Sequence, residues 1–388
     1  MNISSNSVPF FKPTIGQEEI AEVVDTLKSG WIGYGPKCQR FEQQFAQYIG
    51  SKHAIAVSSC TAALHLSLLA LGIGSGDEVI TSTMTFCSTV NAILYVGAKP
   101  VLVDVDPQTL NLDVDMVLSR ITQRTKAILP VHLYGQPVEM GPILDAAQSR
   151  GIYVVEDAAH AIEASYRGQK IGTLSDATAF SFYATKNMTT AEGGMVTTNN
   201  DELAEKIGVL RLHGLSLDAW RRYELGGYKH YQCIEMGFKY NMTDIQASIG
   251  MWQMKHLDEW RLKRKEMVSY YNELLAEQDI VAPILTVDDS INVQSYHLYP
   301  VMVNNALDRD DILNYLQASG VGVGVHFIPV HMHPYFRKVL GDLNLPVASD
   351  AGNRLLSLPL FPTMEPSDVE YVVERICQYS PKAKYRSR

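Results

Sequence analysis

No paired cysteines, no long apolar run and no excess of positive charge occur in this sequence, and each absence removes a class of protein. Its five cysteines, Cys38, Cys60, Cys87, Cys233 and Cys377, are odd in number and include no C-x-x-C pair. Neither a disulfide framework nor a zinc site is expected, and a reducing compartment fits. No uninterrupted apolar stretch approaches ~18 residues, so no membrane-spanning helix is expected. Lys and Arg number 33 against 42 Asp and Glu, for a formal net charge of -9. Only the tail Lys382 to Arg388 is basic, which argues against nucleic acid as a partner. Met1 to Pro13 lacks a basic segment followed by an apolar run, so no secretory signal is expected and the cytoplasm is the default location. Internal repeats and low-complexity segments are absent as well.

What remains is the composition of a globular enzyme: 388 residues, 46% hydrophobic and 19% charged, enough for a large domain with a smaller one attached. Short apolar runs at 54–57, 78–81, 101–105, 127–131 and 152–157 alternate with helical patterns, which predicts an α/β fold with a mostly parallel sheet covered on both faces. A long helix is expected from Asp244 through Ile245, Ile249, Trp252 and Leu257 to around Leu275. The domain boundary is placed on it, giving a large domain at 1–250 and a smaller α+β domain at 251–388. In the latter, strands are expected at His297 to Val303 and Gly322 to His326, and helices at Arg309 to Ala318 and Pro366 to Cys377.

Chemistry concentrates around Phe180-Ser181-Phe182-Tyr183-Ala184-Thr185-Lys186. Residues 177–183 alternate as a strand does, and Met195 to Thr198 behind the Glu192-Gly193-Gly194 turn reads as its hairpin return. Lys186 then lies past a strand end, where partial burial would favour its neutral, nucleophilic form. Val154-Val155-Glu156-Asp157 places Asp157 at another strand's carboxyl end, where open α/β sheets bind ligands; a helix cap is the plain alternative. Ser58-Ser59-Cys60-Thr61, between a strand and a helix, reads either as simple capping or as a phosphate site on the free amides of the first turn. Gly72-Ile73-Gly74-Ser75-Gly76 closes a helix, so it is a turn and not a dinucleotide fingerprint. Pro329 and Pro334 interrupt His326, His331 and His333, and no carboxylate keeps ligand spacing, so no metal is expected.

The segment Ser181 to Gly194 resembles the cofactor-lysine segment of the DegT/DnrJ/EryC1/StrS sugar aminotransferases, pyridoxal-phosphate (PLP) enzymes of fold type I, and the resemblance runs from about Pro9 to about Glu374. It implies that Lys186 binds PLP covalently and then serves as the base, while Asp157 stabilises a proton on the pyridine nitrogen. Thr61, Ala62 and Ser181 match phosphate-holding positions, Phe86 one that stacks on the ring, and His160 one near its phenolic oxygen. Cys60 stands where glycine or alanine is commoner, so the turn is expected to be slightly crowded. Asn241 resembles a phosphate contact donated across a subunit boundary, which implies a homodimer; the plain alternative is that Asn241 or Thr243 is only an N-cap. Trp31 and Tyr34, in the loop Gly30 to Pro36, and His326 resemble residues near the sugar. Leu210 to Trp220 resembles the mobile region of the subgroup that aminates C4.

The resemblance implies transfer of an amino group from L-glutamate to a nucleotide-diphosphate keto-sugar, preferably C4 of a 4-keto-6-deoxy hexose, with C3 amination as the alternative. Dehydratases of this fold replace the lysine with histidine, so Lys186 argues against that activity. A non-enzymatic regulator on the same fold is the remaining class.

Overall fold

The computed structural model describes residues 7–216, 231–285, 288–304 and 307–380. The basic tail and residues 217–220 of the expected mobile region lie outside the described residues. Twelve strands occur among those described: β1 (His53–Val57), β2 (Glu78–Ser82), β3 (Lys99–Val103), β4 (Thr125–Leu129), β5 (Tyr153–Asp157), β6 (Ser165–Tyr166), β7 (Gln169–Lys170), β8 (Ala177–Ser181), β9 (Gly194–Thr198), β10 (Val281–Pro283), β11 (Tyr299–Val303) and β12 (Leu355–Leu358). Seven of them form one sheet in the order β1-β9-β8-β5-β4-β2-β3, β6 and β7 form a two-stranded ribbon, and β10-β11-β12 form an antiparallel sheet. In the large sheet β3, β2, β4, β5 and β8 are mutually parallel, and β9 runs antiparallel to both β8 and β1. Two reversals restore the direction, so β1 ends on the same rim as β2, β4, β5 and β8.

Both faces of this sheet are buried, which explains why its strands read as nearly continuous apolar runs. Alternation sends Ile80, Ile128, Val154 and Phe180 into one core with Phe41 and Phe45. Their neighbours Val79, Leu129, Val155 and Ala179 enter the opposite core with the helix Cys60–Ala70. A third core gathers Tyr271, Tyr299, Val301, Ile312, Leu356 and Val369 of the C-terminal part, and Val8 of the opening segment joins it.

Two expectations are corrected. The long helix is broken: Asp244–Gln253 and Leu257–Leu275 are separated by a 3-10 turn at Met254–His256. Ala247 and Met251 face the large sheet's core, whereas Val268, Tyr271 and Leu275 face the C-terminal core. One straight helix would keep a single apolar stripe, and the turn lets the chain change partners. The expected strand from Gly322 to His326 does not form. Val321 instead bridges Val8, with Val8 N–H donating to Gly320 O (3.0 Å) and Gly322 N–H to Val8 O (2.8 Å). The backbone of Phe10 leaves no room for a Cβ at Gly322, so glycine there admits the N-terminal segment rather than a sheet neighbour.

Candidate active site

Ser181 at the end of β8 lies opposite Gly194 at the start of β9. The loop between them is closed at its neck by Phe182 N–H to Gly193 O (2.9 Å) and Thr190 N–H to Phe182 O (3.0 Å). Lys186 N–H donates to Tyr183 O (2.9 Å), forming a turn, while Phe182 and Met188 are anchored in the core. This loop presents the Lys186 side chain to a cavity of about 470 Å³ at the sheet's rim. Burial pushes the amine down to about 8, with the thiol of Cys60 and the carboxylate of Asp157 pulling the other way.

Asp157, Thr61, Phe86, His160, Ser181 and His326 line the same cavity. One oxygen of Asp157 accepts from Thr89 Oγ1 (2.8 Å) and the other from Ala159 N–H (3.1 Å). Thr89 Oγ1 is also 2.7 Å from Thr85 Oγ1, so two buried hydroxyls steady the carboxylate. Burial pushes Asp157 above its ordinary value, against the Thr89 and Ala159 donors and the charge of Lys186. A carboxylate has about four acceptor sites, so Asp157 keeps capacity for a cationic N–H in the cavity. His160 Nδ1 accepts from Tyr134 N–H (3.2 Å), which leaves its proton on Nε2. Burial holds this imidazole well below its ordinary value, with the charge of Lys186 adding to the effect.

At the start of the helix Cys60–Ala70, Ser59 Oγ accepts from Ala62 N–H (3.1 Å). The Ala62 amide is therefore taken by the cap, and Thr61 is the helix residue that reaches the cavity beside Cys60. The crowding expected at Cys60 is relieved from the other side: a Cβ at Gly194 would lie 2.5 Å from Ser59 C and 2.6 Å from Cys60 N. Glycine at the start of β9 thus lets two backbones meet. Phe86 is 58% exposed although it sits in a cavity wall, an apolar face available for stacking. His326 stacks on Phe10 (5.2 Å, 9°) and shares a hydrogen bond with Ser357 Oγ (3.1 Å).

Four expected residues, Ala62, Trp31, Tyr34 and Asn241, do not line this cavity. Tyr34 lies against Arg211, which donates to its hydroxyl (2.8 Å), and with Asn241 it lines a separate hollow. Asn241 Oδ1 is buried and has no hydrogen-bond partner among the described residues. Trp31 is 44% exposed on the preceding loop. The N-cap of the next helix is Thr243, whose side chain accepts from Gln246 N–H, so Asn241 is not that cap. His331 bonds Thr83 Oγ1 (2.7 Å) and Ser349 Oγ (3.0 Å), and no metal-binding cluster occurs among the described residues.

Sequence reasoning did not find Phe10, His297, Phe327 and Leu360 in the cavity wall, nor Thr89 behind Asp157. Only Thr89 carried a local signal, its spacing of four from Thr85 at a helix start. The others arrive from segments far along the chain.

The residues present fit PLP. Free helix amides and hydroxyls can receive a phosphate, the Asp157 carboxylate has acceptor capacity, and an amine and an exposed aromatic face share the cavity. A family model for the DegT/DnrJ/EryC1/StrS aminotransferases matches residues 13–377. The chain belongs to this family. SpsC of Bacillus subtilis, a spore coat polysaccharide biosynthesis protein, is 46% identical over 95% of this chain and 96% of its own. Spr1654 of Streptococcus pneumoniae, assigned as a sugar aminotransferase and solved in PLP and PMP forms, superposes in the PMP form with a TM-score of 0.89 at 33% identity, covering 96% of this chain and 97% of that one. PseC of Helicobacter pylori, an aminotransferase involved in pseudoaminic acid biosynthesis, gives 0.89 at 26% identity, covering 96% and 98%. The protein is a PLP-dependent sugar aminotransferase of fold type I. Among the described residues, no helix is long and apolar enough to cross a membrane.

Proposed function

We propose that this aminotransferase moves an amino group from L-glutamate to C4 of a nucleotide-diphosphate 4-keto-6-deoxy hexose, acting as a homodimer in the cytoplasm. The product is an amino sugar, and the likeness to SpsC favours polysaccharide biosynthesis as its use. The observation that carries this reading is the convergence of Lys186, Asp157, Thr61 and Ser181 on one cavity.

PLP, when bound, supplies an electron-poor ring that carries the amino group between donor and acceptor. Lys186 would hold the cofactor through its amine, and as a free amine would serve as the base that takes the donor's Cα proton. The same amine returns a proton in the sugar half-reaction. Burial, which lowers the amine to about 8, raises the share of free base near neutral pH. Asp157 would pair with the ring nitrogen, and Thr89 holds its carboxylate in place. His160 would donate from Nε2 to the cofactor's phenolic oxygen, and Phe86 would supply an apolar face to its ring. Thr61 and Ser181 would receive the phosphate at the positive end of the helix Cys60–Ala70, whose Ala62 amide is given to the Ser59 cap. Trp31, Tyr34 and His326 are assigned to the sugar.

Asn241 is assigned, through its Nδ2, to the phosphate of the other subunit's site, a reading supported by its place outside its own chain's cavity wall. The deciding experiment offers the enzyme glutamate and a panel of nucleotide keto-sugars, with mass and stereochemical analysis of products. A 4-amino-4,6-dideoxy sugar nucleotide is expected; amination at C3, or no amination of any nucleotide sugar, would contradict the assignment.

A further inference from the structure

We propose that His297 is a specificity-determining residue of this site: its Nε2 is a fixed acceptor for a hydroxyl on the sugar carbon next to the ketone. The inference rests on the keto-sugar reading above.

The tautomer follows from a chain of buried groups. Asn187 Nδ2 lies 2.8 Å from Glu163 Oε2 and 3.1 Å from Ser295 O, and neither a carboxylate nor a carbonyl can donate. The nitrogen of Asn187 must therefore face them, and its Oδ1 faces His297 Nδ1 at 2.7 Å. That oxygen accepts only, so His297 carries its proton on Nδ1 and presents a bare lone pair at Nε2. Glu163 is itself fixed by Arg264 Nη2 (2.5 Å), whose guanidinium also donates to Ser295 O. Arg264 and Glu163 are buried, so this framework has little freedom to rearrange.

His297 is 6% exposed and lines the Lys186 cavity, yet among the described residues no hydrogen-bond partner meets its Nε2. Its ring lies 4.3 Å from that of His160, which has the opposite tautomer and presents Nε2–H. Phe86, Phe327, Leu298 and Leu360 contribute apolar surface to the same cavity wall. A buried acceptor in such a wall is left unsatisfied unless the ligand brings a donor. Burial and the neighbouring His160, Lys186 and Arg264 keep the imidazole from taking up a proton. The complementary ligand group is accordingly a neutral donor, the hydroxyl beside a sugar ketone.

The test compares two nucleotide keto-sugars that differ only in a hydroxyl or a hydrogen on the carbon beside the ketone. The wild type is expected to favour the hydroxylated sugar in kcat/KM by at least about tenfold, since the deoxy analogue leaves Nε2 unpaired. His297→Phe is expected to reduce that ratio to below about threefold, and His297→Gln, whose amide oxygen can accept, to recover part of it. Nitrogen-15 spectra of the cofactor-free wild type should show a protonated Nδ1 and an unprotonated Nε2 at His297. Equal use of both sugars by the wild type, or the reverse tautomer, would overturn the inference alone. Refusal of both sugars would overturn the keto-sugar reading and this inference with it. A larger loss in the glutamate half-reaction than in the sugar half-reaction of His297→Phe would give Nε2 to the donor's ammonium and also overturn it.

Discussion

Glu156 and Asp157 are neighbours on β5, and strand alternation turns them to opposite sides of the sheet. Glu156 is wholly buried and fully answered: His132 Nε2, Ser175 Oγ and Thr178 Oγ1 reach it at 2.8, 2.6 and 2.8 Å. Burial alone would raise it, but these donors bring it below its ordinary value. Asp157, at the rim, has two protein donors and is pushed upward. Equal chemistry in adjacent positions is thus spent on stability in one case and held open for a ligand in the other. His132 and His297 repeat the contrast, since Val138 N–H meets the second nitrogen of His132 whereas the second nitrogen of His297 has no partner among the described residues.

Substitutions should separate the two sides of the strand. The largest effect is expected from Lys186→Ala, which should reduce turnover by at least about 10³-fold, as loss of a base that is also the cofactor's anchor requires. Steady-state assay of protein with intact circular dichroism checks this. Asp157→Asn should cost about 10²- to 10³-fold in kcat/KM and weaken cofactor retention on dialysis, because a neutral amide cannot balance a charged ring nitrogen. Glu156→Gln should behave in the opposite way. It is expected to lower the unfolding free energy by about 1–3 kcal/mol in urea titrations while the cofactor's absorption stays that of the wild type. Loss of the absorption band without loss of stability would erase the contrast.

The proposed sharing of the site between subunits can be tested by complementation. Lys186→Ala and Asn241→Ala proteins, each inactive as homodimers, should regain about a quarter of wild-type activity when mixed and reassociated. Half of the random dimers are hybrids, and each hybrid holds one intact site. No regain would place Asn241 outside the partner's site. The smallest effect concerns pH: labelling of the Lys186 amine in cofactor-free protein should rise through about pH 8, where the neutral form takes over. An ordinary lysine would need about pH 10.

The parts of this site that the sequence made legible are those that follow a strand end directly. Asp157, Ser181, Thr61 and Phe86 each lie within a few residues of a strand of the large sheet, so recognising the strands and the lysine segment locates them. Lys186 was legible for the same reason. Phe10, His297, Phe327 and Leu360 were not, because packing of the N-terminal segment and the C-terminal part against the rim creates their environment. Gly322 illustrates the limit: its flanking β-branched residues suggest a strand, yet it accommodates the crossing backbone at Phe10. A similar limit applies at Met254–His256, where the apolar pattern continues but its partner core changes.

The central claim is that the amine at position 186, held opposite Asp157, is the group that captures the cofactor. Borohydride reduction of the PLP-loaded protein, followed by peptide mass mapping, tests it directly. A single pyridoxyl label on Lys186 is predicted, and a label on any other lysine with Lys186 unmodified would contradict the account.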